Sequence, residues 1–426
     1  MTASRDLVIR GALVYDHEGD TDRPPRADVR IAAGRIAEIG DGIATAGART
    51  IDADGKLLIP GFVNAHYHSH DILLRGCFEN LPTEIWFTYA LPPAYPQRSA
   101  EEVRARTLLA AAEAIRNGVT TLQDMLTIAP LDPELLDVAL EAYDEAGLRV
   151  VMAQQIADLR ALDRVPFWRE CVPAARRRWL TAAADSRAAG GADPVEAVIE
   201  TCLARRGRHR RIGWALGPTN PLLCSPDMMR RLAAFSATHE LPVVTHFYQS
   251  RAEILASRRL MAAHGGSLVG LLEEVGLLNE RLALAHGIWT LGREAAALAA
   301  AGATIVLNIA SNMKSKGGIP PLRDFIDAGV ALALGSDNSG CSDSQNMWGG
   351  GGGARGAGAR PRGPIPCATR PKVAPAPSGS AARSGPSVSA PGPISSCSTF
   401  APPPSCRSTA PPARWCSPNP APRSTR

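Results

Sequence analysis

The chain is predicted to fold as an α/β protein built on a (β/α)8 TIM-type barrel, and three observations point there. Between residues 57 and about 340, short apolar runs alternate eight times with helix-like stretches, the pattern of βα units that close into a parallel barrel. Polar side chains able to bind a metal stand at the ends of several of those runs, where such barrels carry their chemistry. The length of 426 residues, 45% of them hydrophobic and 20% charged, suits one large core with additions.

The elements follow in order. Residues 6–58 read as short strands: Leu7-Val8-Ile9-Arg10, Ala12-Leu13-Val14-Tyr15, Val29-Arg30-Ile31, Arg35-Ile36-Ala37-Glu38-Ile39 and Arg49-Thr50-Ile51-Asp52. Turn signals at Gly19-Asp20, Ala33-Gly34 and Asp54-Gly55 separate them. Residues 1–57 thus form a small β-rich layer, too short to be a complete sandwich. The barrel strands are predicted at 57–66, 119–125, 148–156, 212–216, 241–247, 282–288, 304–309 and 330–336. Helical stretches are predicted at 99–117, 132–146, 226–239, 251–275 and 293–301. Gly118, Gly147, Gly276 and Gly302 stand where helices end, and Ser99 and Ser225 where they start.

After Trp348 the text changes character. Residues 349–426 lack leucine, aspartate and glutamate and are dense in Pro, Ala, Ser, Gly and Arg. They show neither helical nor strand periodicity, so disorder is expected. A GC-rich gene read out of frame gives this composition, and the expectation is that residues 349–426 are such a frame-shifted tail.

The net charge of +5 belongs to that tail, which holds ten of the 46 basic residues and none of the 41 acidic ones. The body is mildly acidic, which argues against nucleic acid as a partner. Arg205-Arg206-Gly207-Arg208-His209-Arg210-Arg211 is its one dense basic run, read as a solvated connector rather than a phosphate site. No run of about 18 uncharged apolar residues is present, and Met1–Arg10 has no apolar signal core. Cys77, Cys171, Cys202, Cys224 and Cys341 are scattered, as reduced thiols of a cytoplasmic protein are. The expectation is therefore no membrane partner; a homo-oligomer is left open.

The chemistry gathers at strand ends. His66 and His68 are two residues apart, and in a strand such a pair shares a face, so both imidazoles can reach one point. His246 ends the fifth predicted strand, His286 the sixth and Asp337 the eighth. Three imidazoles and a carboxylate suit one divalent metal, Zn²⁺ or Fe²⁺, with a position open to water, and such a metal brings water's pKa toward neutrality. Any one of these histidines taken alone is better read as a satisfied core residue; five such residues at strand ends are hard to reach by chance. Trp86, Tyr89, Phe247 and Trp289 could stack on a planar ring, although packing is the commoner role of buried aromatics. His70 could reach the site or cap a loop. His17, His209, His239 and His264 read as surface positions.

Pro60-Gly61-Phe62-Val63-Asn64-Ala65-His66-Tyr67-His68 resembles the opening signature of the amidohydrolase superfamily. Ala285-His286-Gly287-Ile288-Trp289, Ser311-Asn312-Met313-Lys314 with Gly318-Ile319-Pro320, and Gly335-Ser336-Asp337-Asn338 resemble its cytosine deaminase and triazine hydrolase branch. The similarity spans about residues 6–348. It implies a β-sandwich, formed in part by residues 1–57, beside a hydrolase barrel at 58–348. It also implies that His66, His68, His246 and Asp337 are metal ligands, that Asp337 accepts a proton from the nucleophilic water, and that His286 holds or protonates the reacting group. Asn312, within its motif, is a candidate substrate contact. Arg211–Pro218 offers no lysine, so the site is expected to hold one metal.

Two features depart from the family. Its deaminases carry a glutamate three residues after the strand-5 histidine, where this chain has Gln249, and an amide cannot transfer a proton as a carboxyl group does. Glu253, one turn on, is a weak substitute and reads as a helix-face charge. The second departure is the tail, which lacks the family's final helix and sandwich strands. The implied function is hydrolysis of a C–N bond other than a peptide bond in a small nitrogen heterocycle. The alternatives are opening of a cyclic amide, as imidazolonepropionase-like relatives do, and an inactive remnant.

Overall fold

The computed structural model describes residues 6–16, 19–78, 80–90, 98–129, 131–160, 165, 167–178, 193–349 and 397–399. The expectations for His17 and for most of the tail fall outside them. The chain divides after Pro60 into two compact units.

The first unit is one mixed sheet. Its strands are β1 (Leu7–Val14), β2 (Arg26–Ala32), β3 (Arg35–Gly40), β4 (Arg49–Asp52) and β5 (Leu57–Pro60). β1 runs antiparallel to β2 and parallel to β4 and β5. A register shift between Ile9 and Ala12 places Gly11 at φ +67°, the left-handed backbone that a bulge takes most easily with glycine. Its N–H bonds Asp28 Oδ1 at 2.8 Å. Ile9, Ala12, Val29, Ala53 and Leu58 bury the apolar face. Within the tail, Cys397–Thr399 pairs antiparallel with β5, where no strand was expected. Backbone pairing onto an open edge requires no side-chain periodicity.

The second unit carries the parallel barrel strands β6 (Phe62–Tyr67), β7 (Val119–Leu126), β8 (Arg149–Ile156), β9 (Ile212–Trp214), β10 (Gly217–Pro218), β11 (Val243–Phe247), β12 (Leu282–His286), β13 (Thr304–Leu307) and β14 (Ala331–Leu334). β6, β7, β8 and β9 pair in succession, with β10 also on β8. A parallel bridge from Leu216 to Val243 joins them to the run β11-β12-β13-β14. The ring closes between the ends of β14 and β6: Asp337 N donates to His66 O at 2.9 Å, and the side chains of Asn64 and Ser336 bond at 2.7 Å. The alternation of strand and helix therefore produces the expected α/β barrel architecture. Met125, Val151, Ala153, Ala215 and Val244 fill its interior.

Two predicted elements are corrected. The stretch 57–66 is two strands, because Pro60-Gly61 breaks the pairing and β5 joins the first unit's sheet. The helix predicted at 251–275 is interrupted. Helix Arg251–Leu260 stops, Gly265 and Gly266 take φ +64° and +70°, and Ser267 caps a new helix, Leu268–Glu274. The four predicted helix-end glycines all have positive φ. Ser99 and Ser225 accept from Glu102 N and Met228 N, both at 3.1 Å. Among the described residues no helix is long and apolar enough to cross a membrane.

The turn that presents the first two histidines is clamped from behind. Asp124 on β7 accepts from Ser69 N at 3.0 Å, Ser69 Oγ at 2.6 Å and Tyr143 Oη at 2.8 Å, and all three groups are buried. Asp124→Ala leaves those donors unpaired, and each buried orphan costs on the order of 1–3 kcal/mol. Urea unfolding is expected to show a loss of about 3 kcal/mol, with displacement of His68 visible as weakened metal binding.

Candidate metal centre

β6 delivers His66 and, one residue past its end, His68; β11 delivers His246; Asp337 stands just beyond β14. One ligand atom from each of these four lies within 4.8 Å of every other. His68 Nε2 is 3.2 Å from His246 Nε2 and 3.3 Å from Asp337 Oδ1, and His66 Nε2 is 3.5 Å from the same oxygen. All four residues are buried.

Their hydrogen bonds fix which atoms face inward. His68 Nδ1 lies 2.7 Å from Met125 O, and His246 Nδ1 lies 2.6 Å from Thr219 O. A carbonyl only accepts, so each ring carries its proton on Nδ1 and turns a bare Nε2 lone pair to the centre. Two lone pairs at this separation, with a carboxylate beside them and a buried His66 Nε2 that has no hydrogen-bond partner among the described residues, repel unless a cation or a proton stands among them. Three nitrogens and one oxygen fit a divalent metal. Burial alone would lower the pKa of His68, but the hydrogen bond and charge of Asp337 outweigh it and raise it.

Asp337 is held in its ionised form. Burial works against the charge, yet the flanking imidazoles of His66 and His68 prevail and keep its carboxyl well below the usual carboxylate range. Ser311 Oγ donates to its Oδ2 at 2.5 Å and Asn338 N to its Oδ1 at 2.7 Å. Burial brings His66 down to about 4 against the pull of Asp337. Burial and the neighbouring imidazoles hold His246 well below its ordinary value.

His286 Nδ1 lies 2.7 Å from Asn312 Oδ1, so its buried Nε2, with no hydrogen-bond partner among the described residues, is a lone pair 3.8 Å from Asp337 Oδ2. Burial lowers its pKa. His286 and Asp337 both take left-handed backbone, φ +81° and +60°, a strain that clusters at functional sites.

The other predicted residues divide. Asn312 touches His286 rather than open space and is fully buried. Trp289 is 36% exposed, its indole anchored on Gly317 O at 3.1 Å, so its ring remains open to a ligand. Trp86 is buried in a cluster with Ala90 and Cys341. Phe247 follows the inward His246 on the same strand, so its ring turns to the opposite face and packs 4.2 Å from Tyr248. Tyr89 is exposed and stacks on Phe78. The Gln249 side chain is buried, and its backbone N–H bonds Glu253 Oε2 at 2.8 Å. Glu253 differs from the helix-face charge expected. Its carboxylate accepts from the backbone of both Tyr248 and Gln249 and from Asn220 Nδ2, bracing the loop after β11 although burial pushes its pKa up. His70 Nδ1 accepts from Thr127 N at 3.2 Å, the loop-capping option. In the basic run, Arg205 and Arg208 pair with Asp137 and Arg211 with Asp144, so its charge is largely spent on one neighbouring helix.

Several supports had no sequence signal. Gln155 Nε2 holds Met125 O at 3.1 Å and Thr127 Oγ1 at 2.7 Å, steadying the carbonyl that orients His68. Tyr248 Oη donates to buried Glu294 at 2.9 Å, anchoring the loop between His246 and Gln249. Asp71, pushed up to about 7 by burial, accepts from Ser339 N at 3.3 Å.

Comparison with known proteins matches the amidohydrolase family model to residues 57–361. A 5-methylthioadenosine/S-adenosylhomocysteine deaminase of Thermococcus kodakarensis is 30% identical over 341 residues, 80% of this chain and 72% of that one. A 5′-deoxyadenosine deaminase of Methanothermobacter thermautotrophicus is 29% identical over 346 residues, 81% and 72%. Among solved structures, zinc-bound atrazine chlorohydrolase from Arthrobacter aurescens superposes with a TM-score of 0.66 at 23% identity, covering 80% of this chain and 74% of that one. A zinc-bound adenosine deaminase from Xanthomonas campestris gives 0.65 at 24%, covering 82% and 73%.

Acid should cost the metal-free centre stability at His66 and His246. His66 and His246 have folded pKa values below those of the unfolded chain, so the unfolded chain binds protons first as pH falls below 6.5. Asp337, also depressed, contributes stability that is present above its unfolded value and lost on further acidification. His68 and Asp71, both raised, work in the opposite direction over the same range. The His66 contribution, about 3 kcal/mol lost between pH 6.5 and 4, is expected as the difference between the urea-titration pH profiles of metal-free wild type and His66→Ala; profiles of the same shape contradict this charge assignment.

Proposed function

The chain belongs to the amidohydrolase family, a metal-dependent hydrolase acting on C–N bonds other than peptide bonds, and from that premise we propose that it deaminates a small amino-substituted heterocycle. The relatives named above favour an adenine nucleoside altered at its 5′ position as the substrate class. The observation that carries the reading is the pair of bare Nε2 lone pairs of His68 and His246 facing Asp337 and the unpartnered Nε2 of His66. In this reading His66, His68, His246 and Asp337 hold one divalent metal, with zinc favoured over iron by a compact set of three imidazoles and one carboxylate. When bound, the metal supplies a Lewis acid that lowers the pKa of water to near neutrality.

The protein's own residues then move protons. Asp337, ionised and steadied by Ser311 and Asn338, takes a proton from the attacking water. His286, its Nδ1–H on Asn312, presents Nε2 to hold the reacting group and pass the proton to the departing amine. Gln249 can donate a hydrogen bond to a ring nitrogen but cannot protonate it. Trp289, half exposed beside the loop at Gly317, is the aromatic surface best placed to stack on a planar ring. The free cysteines support a reducing, cytoplasmic setting. The sheet that ends with β5 at Pro60 is taken as one part of a composite sandwich, the residues from Gly61 to 348 as the hydrolase barrel, and 349–426 as the frame-shifted tail.

Zinc-loaded protein incubated with 5′-substituted adenosines is expected to release ammonia in step with loss of the aminopurine absorbance. His66→Ala should bind no stoichiometric metal and release none. Ring-opened product without ammonia would overturn deamination in favour of cyclic-amide hydrolysis. Gln249→Glu restores a carboxyl group able to transfer protons, and general acid–base catalysis contributes about 10²–10⁴-fold. Turnover is expected to rise at least about tenfold; a large loss would show that the amide has a role of its own.

A further inference from the structure

Gln249 and Trp289, set against the substrate ring above, stand on different loops, one after β11 and the other after β12. The pairing of those strands runs on past their ends and reaches the residue before each of the two. Gly287 N donates to Phe247 O at 2.9 Å and Ile288 N to Tyr248 O at 3.1 Å. Beyond that point the loops are held from two sides. On one side is buried Gly317, in the segment after β13. Its carbonyl accepts from Trp289 Nε1 at 3.1 Å. A Cβ there would stand 2.6 Å from Gln249 O and 2.8 Å from Ile288 Cδ1, so glycine is what lets the three segments touch.

On the other side is Glu294, buried in the first turn of helix Gly292–Ala300. Its Oε2 accepts from Leu291 N at 2.8 Å, two residues past Trp289, as a glutamate at this position of a helix commonly does. Its Oε1 does what a cap does not require. It accepts from Tyr248 Oη at 2.9 Å and from Ser267 Oγ at 2.6 Å. Tyr248 Oη in turn accepts from Leu268 N at 2.9 Å, which leaves the hydroxyl proton for Glu294. Tyr248 is fully buried with left-handed backbone, φ +48°, a conformation that a bulky side chain keeps only where its surroundings impose it. Glu253 braces the N–H groups of Tyr248 and Gln249, but it follows them on the same stretch of chain. Glu294 joins this loop to the one that carries Trp289.

We propose that Glu294 is a specificity-determining positioning residue. Through Tyr248 on one side and Leu291 on the other it sets the separation of Gln249 and Trp289, and with it the planar ring that the site admits. It acts through these two loops and not on the reacting atoms. The proposal rests on the deamination proposed above, and the wild type separates the two. Zinc-loaded wild type that releases no ammonia refutes both, whereas a deaminating wild type whose variants keep its KM refutes the Glu294 assignment alone.

The test is ammonia release by zinc-loaded protein from 5′-deoxyadenosine and from 5′-deoxycytidine, a one-ring substrate, with zinc affinity measured by chelator competition. Glu294→Gln keeps the bond to Leu291, which glutamine also makes, and turns an amide N–H toward the two hydroxyl donors. It should raise KM for 5′-deoxyadenosine about tenfold, within the cost that a small misplacement away from the chemistry brings. The kcat/KM ratio of the two substrates should narrow, at wild-type zinc affinity. Gly317→Ala acts from the opposite side by displacing the Gln249 carbonyl and should do the same; it carries the test if Glu294→Gln does not fold. Wild-type KM and ratio in these variants, or an equal loss on both substrates with a lowered thermal midpoint, would reduce Glu294 to a folding residue and overturn the proposal.

Discussion

The bond that closes the barrel is also the bond that builds the centre. Asp337 N donates to His66 O at 2.9 Å, joining the end of the last barrel strand to the first, and the side chains of the same two residues meet at 3.5 Å. Asn64 and Ser336 repeat the junction one step lower, through a side-chain bond at 2.7 Å and Ser336 N to Asn64 Oδ1 at 3.0 Å. A ring of parallel strands fixes its members relative to one another only once it is closed. Four donors from three separate stretches of chain can then be held within a few ångströms without any of them being able to drift.

That rigidity explains how the site tolerates its own electrostatics. Bare imidazole lone pairs and a carboxylate at 3.2–3.5 Å would spread apart in a flexible loop. Here carbonyls at Met125 and Thr219 lock two rings from behind, and Ser311 and Asn338 lock the carboxylate. The left-handed backbone of His286 and Asp337 is strain stored in the same frame. The centre is preorganised for a cation, and the metal-free protein answers with shifted protonation, raised at His68 and lowered at His66 and His246.

What the sequence makes legible follows from the distance over which each signal acts. The barrel shows in the alternation of strand and helix, and His66 and His68 in a spacing that the pleat turns into a shared face. His246, His286 and Asp337 show because each ends an apolar run. The split at Gly61 is less visible, because the apolar text continues on both sides of Pro60-Gly61 and only the pairing partners differ. Phe247 sits beside His246 in sequence and on the opposite face in space, a consequence of the two-residue period. Glu253 reads as a surface charge, since nothing local announces the backbone N–H groups of Tyr248 and Gln249 that it accepts. The braces at Gln155 and Asp124 leave no pattern at all, because each acts on a residue tens of positions away or on a carbonyl; Ser311 stands in a motif, but nothing local announces its bond to Asp337.

The account stands or falls on four side chains sharing one metal. X-ray absorption at the zinc edge of zinc-loaded protein measures this directly. The result it predicts is a single shell of nitrogen and oxygen at about 2.0–2.1 Å, with outer scattering from three imidazoles that drops by one ring in His246→Ala. A sulfur neighbour at about 2.3 Å, a metal–metal distance, or an imidazole count indifferent to His246 would contradict it.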